Sequence, residues 1–160
     1  MPQRTGIIGG TGFSLPDAQH LDVDTPWGAV EVAHAGDVLF VQRHGARHVP
    51  PHRVAHRANV DALARCGVDA VFALNAVGAL DAALAVPSLL VPDDLLDLRK
   101  STETFHDARA VHVDLSEPYC PALRALLVRE AATTDGGTYV AVEGPRLETR
   151  AEVRMMRAMG

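Results

Sequence analysis

Three short segments of the sequence carry groups that could donate hydrogen bonds to an anion. They are Gly9–Gly12, Arg43–Gly45 and Asn75–Gly78, and each one follows a short apolar run. In the first segment, glycines let the main chain approach a ligand and direct N–H groups at it, and the hydroxyl of Thr11 adds a donor. The same four residues are also compatible with an ordinary tight turn.

Arg43 and His44 are the side chains best suited to bind phosphate. Arginine keeps its charge and offers a planar fork of donors, and histidine can add one more donor. The apolar run Val38–Val41 precedes them, so both would stand at the carboxyl end of a buried strand, where α/β sheets bind ligands. A surface arginine beside a histidine with a structural partner is the alternative.

In the third segment, Asn75–Gly78, small residues leave room for a ligand, but an ordinary strand-to-loop turn fits equally well.

The glycine-rich turn lacks the features of two common nucleotide-binding loops. A dinucleotide fingerprint requires a third glycine and a following helix, whereas this chain has Leu15 and then Pro16. A Walker loop requires a lysine at its end, and Lys100 is the only lysine in the sequence. The sequence therefore argues against both kinds of nucleotide site.

Four histidines recur every four residues, which on one continuous helix would align them as potential metal ligands. They are His44, His48, His52 and His56. Pro50-Pro51 interrupts this stretch, because proline breaks a helix interior, so only His52 and His56 could share a helical face. No cysteine or carboxylate is close in sequence, and we predict no metal site.

Alternating strands and helices predict an α/β fold with a mainly parallel sheet. The predicted strands are Thr5–Ile8, Val30–Ala33, Val38–Val41, Asp69–Leu74, Leu89–Val91 and Thr138–Val142. The predicted helices are His52–Cys66, Pro121–Ala132, with a stripe of leucines, and Glu148–Met159. At the start of the last helix, Thr149 and Glu152 have the spacing of a capping box. Glu148 precedes that cap, again near a strand end, and has no evident structural purpose.

The composition is that of a soluble globular protein with one domain over residues 1–160. Hydrophobic residues make up 48% and charged residues 22%, no apolar run approaches the roughly 20 residues of a membrane span, and the N-terminus lacks a secretion signal. Cys66 and Cys120 lie far apart, which suits a reducing compartment, so we expect a cytoplasmic protein. The net charge of −5 argues against nucleic-acid binding.

Seven motifs are spread along the chain, from IIGGTGF at 7–13 to DGGTYVAVEGPRLETRAE at 135–152. The others are DTPWG at 24–28, RHGARHVPPHRVAHRANVDAL at 43–63, NAVGAL at 75–80, VPDDLLDL at 91–98 and HVDLSEPYCPALR at 112–124. In this order they resemble the purine nucleoside phosphorylase and methylthioadenosine phosphorylase family. The resemblance implies a nucleoside phosphorylase-like α/β fold with a central mixed, mainly parallel sheet flanked by helices.

The activity implied by the resemblance is that of a pentosyltransferase of purine salvage. Such enzymes cleave a purine nucleoside with inorganic phosphate, giving the free base and a ribose, deoxyribose or methylthioribose 1-phosphate. The resemblance implies no cofactor and no metal, because phosphate is the co-substrate. It also implies a homo-oligomer, a trimer or a hexamer, with no membrane or nucleic-acid partner.

The resemblance assigns residues to three parts of a site. The phosphate-binding residues would be Thr11, Arg43, His44, Asn75 and Ala76. The base-binding residues would be Glu148 and Gly78, and the residue near the 5′ end of the nucleoside, in its own or a neighbouring subunit's site, would be His112. No residue of this chain is assigned as a catalytic acid, base or nucleophile.

Glu148 bears on which purine the site would accept. An ionised carboxylate only accepts hydrogen bonds. It can accept from N1–H of hypoxanthine or guanine, whereas N1 of adenine presents a lone pair. The resemblance is therefore to the 6-oxopurine branch, acting on inosine, guanosine or methylthioinosine, and methylthioadenosine phosphorylase is the alternative.

Members of this family continue beyond the position of Gly160. The additional segment contains a Met-Thr pair at the ribose and phosphate, and an Asn or Asp at the purine. We therefore expect a domain truncated at the C-terminus, with little or no phosphorylase activity of its own. A catalytically incompetent fragment that still binds phosphate is a further alternative.

Overall fold

The structure is a computed structural model, which describes residues 3–131 and 133–159. The chain divides into two compact units. The first contains the residues up to Val77 together with Glu103–Phe105, and the second contains Gly78–Thr102 and the residues from His106 onward. The single domain predicted over 1–160 stays a prediction. Over the described ranges, every helix is too short or too polar to span a lipid bilayer.

Five strands form the sheet of the first unit, in the order β2-β3-β4-β1-β5. They are β1 (Thr5–Gly9), β2 (Gln19–Thr25), β3 (Gly28–Ala35), β4 (Val38–Gln42) and β5 (Ala70–Leu74). β1 runs parallel to its neighbours β4 and β5, whereas β3 runs antiparallel to β2 and β4. The four strands predicted in this region are confirmed, with ends that shift by one or two residues.

β2 is the strand of this sheet that the sequence does not predict. It lies at the outer edge, and most of its side chains are exposed. Leu21 and Val23 alternate with His20, Asp22 and Asp24. Because an edge strand packs on one face only, its apolar signal is too weak to separate it from a polar loop.

One helix, α1 (His56–Arg65), packs against β2, β3 and β4. Its buried residues Ala58, Ala62 and Leu63 join Val32 and Val41 in the core of the first unit. This core lies on the helix-covered face of the sheet. Leu39 and Val41 of β4 belong to it, and Ile8 of β1 packs against it.

The helix predicted over His52–Cys66 begins later than expected. Pro51–Arg53 forms a separate 3₁₀ turn, and Val54 has extended backbone angles, with φ −66° and ψ 126°. The proline pair therefore sets a short turn rather than the first turn of the helix. His52 and His56 do not share a helix, so the expectation that they could share a helical face is wrong.

Two short strand pairs and two helices form the second unit. The strands are β6 (Leu90–Val91), β7 (Asp94–Asp97), β8 (Thr134–Asp135) and β9 (Thr138–Ala141), and the helices are α2 (Pro121–Ala131) and α3 (Arg150–Met159). β6 pairs with β8 and β7 pairs with β9, both in parallel. The predicted stripe of Leu123, Leu126 and Leu127 on α2 is half-buried, and Ala132, its predicted last residue, lies outside the described residues.

The predicted fold class is confirmed. The five-stranded sheet has two parallel and two antiparallel pairings, and both small sheets are parallel. Four of the six pairings within the described residues are therefore parallel, which gives a mixed, mainly parallel α/β protein.

Candidate functional site

The three polar segments meet at one edge of the sheet. Gly9, the last residue of β1, is in register with Gln42 on one side and Leu74 on the other. The main chain ties the segments together, because the N–H of Gly10 donates to Leu74 O over 3.1 Å and the N–H of Arg43 donates to Gly9 O over 2.8 Å. Thr11, Arg43, His44, Asn75 and Ala76 therefore all follow strands whose carboxyl ends are level.

The guanidinium of Arg43 bridges the first and third segments. Its Nη1 donates to Oδ1 of Asn75. On the other side it lies against Gly10, where an added Cβ would stand 3.1 Å from Nη2. The guanidinium has five N–H donors, so the bond to Asn75 fixes its position while using a single one of them.

Packing explains part of the glycine pattern in the first segment. A Cβ on Gly9 would lie 2.5 Å from the ring of Phe40, and one on Gly10 would press on Arg43. Gly12 has φ +91°, in the left-handed region where glycine is favoured. Thr11 lies between them on the exposed turn.

The ring of His44 has a defined partner. Its Nδ1 lies 2.8 Å from Val49 O. Because a carbonyl can only accept, Nδ1 carries the proton, and Nε2 is then an acceptor in the neutral ring and a donor only in the imidazolium. The N–H of Val49 donates back to His44 O over 3.0 Å, so this loop is closed from both ends. His44 could donate through Nε2 to an anion only in its protonated form.

Two further residues brace these segments, and the sequence does not single them out. Gln42 donates from Nε2 to Gly10 O over 3.2 Å. Asn59 on α1 donates from Nδ2 to Arg43 O over 3.0 Å. A polar residue among the buried positions of α1 is the signal that could have revealed Asn59.

The capping box predicted in the second unit is confirmed. The N–H of Glu152 donates to Oγ1 of Thr149 over 3.2 Å, and the N–H of Thr149 donates to Oε2 of Glu152 over 2.7 Å. Arg146 adds a bidentate pair to the same carboxylate, at 2.9 and 2.6 Å, and donates to Leu147 O over 3.1 Å. The hydrogen bond from Arg146 is the largest cause that lowers the pKa of Glu152 to about 2.

Glu148 lies inside this network, between a braced carbonyl at Leu147 and a braced N–H at Thr149. Its side chain is half-buried. The two other residues assigned to the nucleoside, Gly78 and His112, are exposed and stand on separate irregular segments of the same unit. The roles of all three stay predictions.

Glu143, which follows β9, has a structural role in holding a neighbouring loop. Its carboxylate accepts from the hydroxyl and N–H of Ser101 over 2.9 and 3.0 Å, and from the N–H of Lys100 over 2.9 Å. These bonds, the Ser101 hydroxyl first, lower the pKa of Glu143. The carboxylate at the end of β9 thus fixes the loop at 100–101.

Comparison with known proteins finds phosphorylases, both as a family and as individual relatives. The model of the phosphorylase superfamily matches residues 4–160. The chain is 43% identical over 171 residues to a probable S-methyl-5′-thioinosine phosphorylase of Methanopyrus kandleri, covering 98% of this chain and 66% of that protein. It is 38% identical over 180 residues to a probable 6-oxopurine nucleoside phosphorylase of Thermococcus kodakarensis, covering 98% and 67%.

A solved structure shares the fold. It is a methylthioadenosine phosphorylase from an antarctic soil metagenomic library, with a TM-score of 0.85 and 31% identity over 97% of this chain and 61% of that one. The chain therefore spans about two thirds of the length of the proteins it matches.

Proposed function

We propose, because this chain belongs to the phosphorylase superfamily, that its first unit binds inorganic phosphate and that the protein uses it to cleave 6-oxopurine nucleosides. The products are the free base and a ribose 1-phosphate. The observation that carries the proposal is the position of the Arg43 guanidinium, between Gly10 and Asn75 at the carboxyl ends of three strands.

The proposed chemistry follows from charge. As the glycosidic bond breaks, positive charge develops on the ribose and negative charge on the purine. A phosphate held in line by Thr11, Arg43, His44 and the Asn75-Ala76 turn stabilises the cation and then attacks it. Phosphate is itself the nucleophile, so we propose a reaction without cofactor, metal or covalent enzyme intermediate.

Glu148 is proposed to select the base. Its carboxylate would accept N1–H of a 6-oxopurine, Gly78 would leave space beside the ring, and His112 would lie near the 5′ end. The braced main chain on both sides of Glu148 supports this role, because a specificity group must hold its position. The names of the Methanopyrus and Thermococcus relatives also favour 6-oxopurine substrates.

A methylthioadenosine phosphorylase is the second candidate, since the similar solved structure bears that name. The protein should be assayed with inosine, guanosine, methylthioinosine, adenosine and methylthioadenosine. Faster release of hypoxanthine or guanine than of adenine supports Glu148 as an acceptor, and the opposite order favours the second candidate.

We further propose that the protein is cytoplasmic and forms a homo-oligomer, a trimer or hexamer. Size-exclusion chromatography with light scattering would test the oligomeric state.

Phosphate binding can be tested on this chain directly. Isothermal titration with inorganic phosphate should detect binding to the wild type and at least tenfold weaker binding to Arg43→Ala, since a charged hydrogen bond contributes about 1.5–3 kcal/mol. Arg65→Ala is the control, because it removes an arginine that pairs with Asp61 on α1. Equal binding by Arg43→Ala and the wild type would refute the proposed site.

A further inference from the structure

Among the residues that the structure describes, Asn59 is the one polar or charged residue that is buried, with 7% of its surface exposed. It lies on α1 beside Ala58, and the next buried positions, Ala62 and Leu63, are apolar and no more than 1% exposed. A primary amide costs stability when it leaves water unless its hydrogen bonds are made. A leucine at this position would favour both the helix and the core. The asparagine therefore needs an explanation other than packing.

The side chain of Asn59 has one main-chain target. Its Nδ2 donates to Arg43 O over 3.0 Å, across 16 residues of sequence. The N–H of the same residue, Arg43, donates to Gly9 O over 2.8 Å, and its guanidinium donates to Asn75. Arg43 is thus held at three points, by the end of β1, by α1 and by the residue that follows β5.

We propose that Asn59 is a positioning residue of the phosphate site, which acts by fixing the main chain of Arg43. This inference rests on the proposed phosphate site. Hydrogen bonds to the N–H and C=O of Arg43 fix its main chain and therefore the direction in which its side chain leaves it. Asn59 supplies the bond to the C=O. Without that bond the peptide after Arg43 can rotate. The guanidinium then spends less time in its position between Gly10 and Asn75.

Asn59→Leu separates this role from packing. The substitution keeps the number of side-chain heavy atoms and their branch point, suits the apolar core and removes the donor. We expect a Tm near that of the wild type, because the added apolar burial of leucine offsets the lost hydrogen bond, and a phosphate dissociation constant raised about tenfold, which corresponds to roughly one hydrogen bond. Leu63→Val, on the same helix, is the control and should lower the Tm while leaving phosphate binding unchanged. Calorimetric titration with inorganic phosphate and differential scanning calorimetry measure both quantities.

The possible outcomes are distinct. If the wild type does not bind phosphate, the proposed function fails at its first step. If the wild type binds and Asn59→Leu binds equally well, the positioning role alone is overturned. Should Asn59→Leu not fold, Asn59→Ala takes its place, because it cannot clash with any group the asparagine contacts. The same about tenfold loss supports the role, and unchanged affinity in a folded Asn59→Ala protein overturns it.

Discussion

Gly9 and Gly10 are adjacent, yet alanine should lower the stability of the protein at Gly9 and its phosphate affinity at Gly10. At Gly10 the new Cβ would stand 3.1 Å from Nη2 of Arg43, the far end of a flexible side chain. The guanidinium can move by a few tenths of an ångström, so stability should change little. At Gly9 the Cβ would stand 2.5 and 2.7 Å from two ring atoms of Phe40, which is buried in the sheet. That overlap requires the ring to move within a packed core.

The expected magnitudes follow from these contacts. Gly10→Ala shifts the guanidinium within its bridging position, and weakening one charged hydrogen bond by up to about 1.5 kcal/mol raises the phosphate dissociation constant up to roughly tenfold. Gly9→Ala overpacks the core, which costs about 1–3 kcal/mol of unfolding free energy. Urea denaturation and phosphate titration of both variants test the pair. If Gly10→Ala binds phosphate like the wild type, the guanidinium position inferred for binding is wrong.

Two further predictions concern other contacts. Because the pKa of Glu152 is lowered from 4.5 to about 2, its bonds stabilise α3 fully above pH 4.5 and less as the pH falls toward 2. Acid titration by circular dichroism should therefore be flatter over that range in Glu152→Gln, and coincident curves would contradict it. Phe105 meets Trp27 edge to face at 5.2 Å, so Phe105→Ala should cost about 0.5–1.5 kcal/mol beyond lost burial. It should also shift the emission of this single tryptophan, whereas Phe13→Ala, at a comparably exposed position, should leave the emission unchanged.

The elements that position the three polar segments were predictable because their signals are local. β1, β4 and β5 are short apolar runs followed closely by glycine, arginine or asparagine, and a continuous apolar run of this length is itself a strand signal. The same signal identified β5 although most of its residues are exposed. β7 was missed because Asp94 and Asp97 bracket only two apolar residues. The start of α1 was misplaced because Pro51 can open either a helix or a 3₁₀ turn, and tertiary packing decides between them.

The contacts within the candidate site were beyond prediction from sequence. Arg43 and Asn75 are 32 residues apart, and only the parallel register of β4, β1 and β5 brings them together. The residues placed each segment at a strand end, and the family resemblance implied that the segments form one site. Neither could indicate that Arg43 would bond to Asn75, or that Asn59 would brace its carbonyl.

The identity of the partner of Arg43 explains how an acidic chain can hold an anion. Several other arginines of the described residues pair with carboxylates. These pairs are Arg65–Asp61, Arg99–Asp97, Arg124–Asp135, Arg129–Glu130 and Arg146–Glu152. Arg43 bonds instead to the neutral amide of Asn75. A neutral acceptor fixes the guanidinium without cancelling its charge, which leaves that charge for the proposed phosphate.

Asn75→Asp tests this reasoning, because it keeps the shape of the side chain and changes only its charge. The new carboxylate should bind Arg43 more tightly and repel phosphate. Two unit charges 4 Å apart interact by about 4 kcal/mol at an effective dielectric constant of 20. Because Asn75 is exposed, solvent reduces this effect, and we expect phosphate affinity to fall at least about tenfold. Gln19→Glu on the outer strand β2 adds the same net charge away from the site and should have little effect. If Asn75→Asp retains the wild-type phosphate affinity in calorimetric titration, the charge of Arg43 is not what binds the anion.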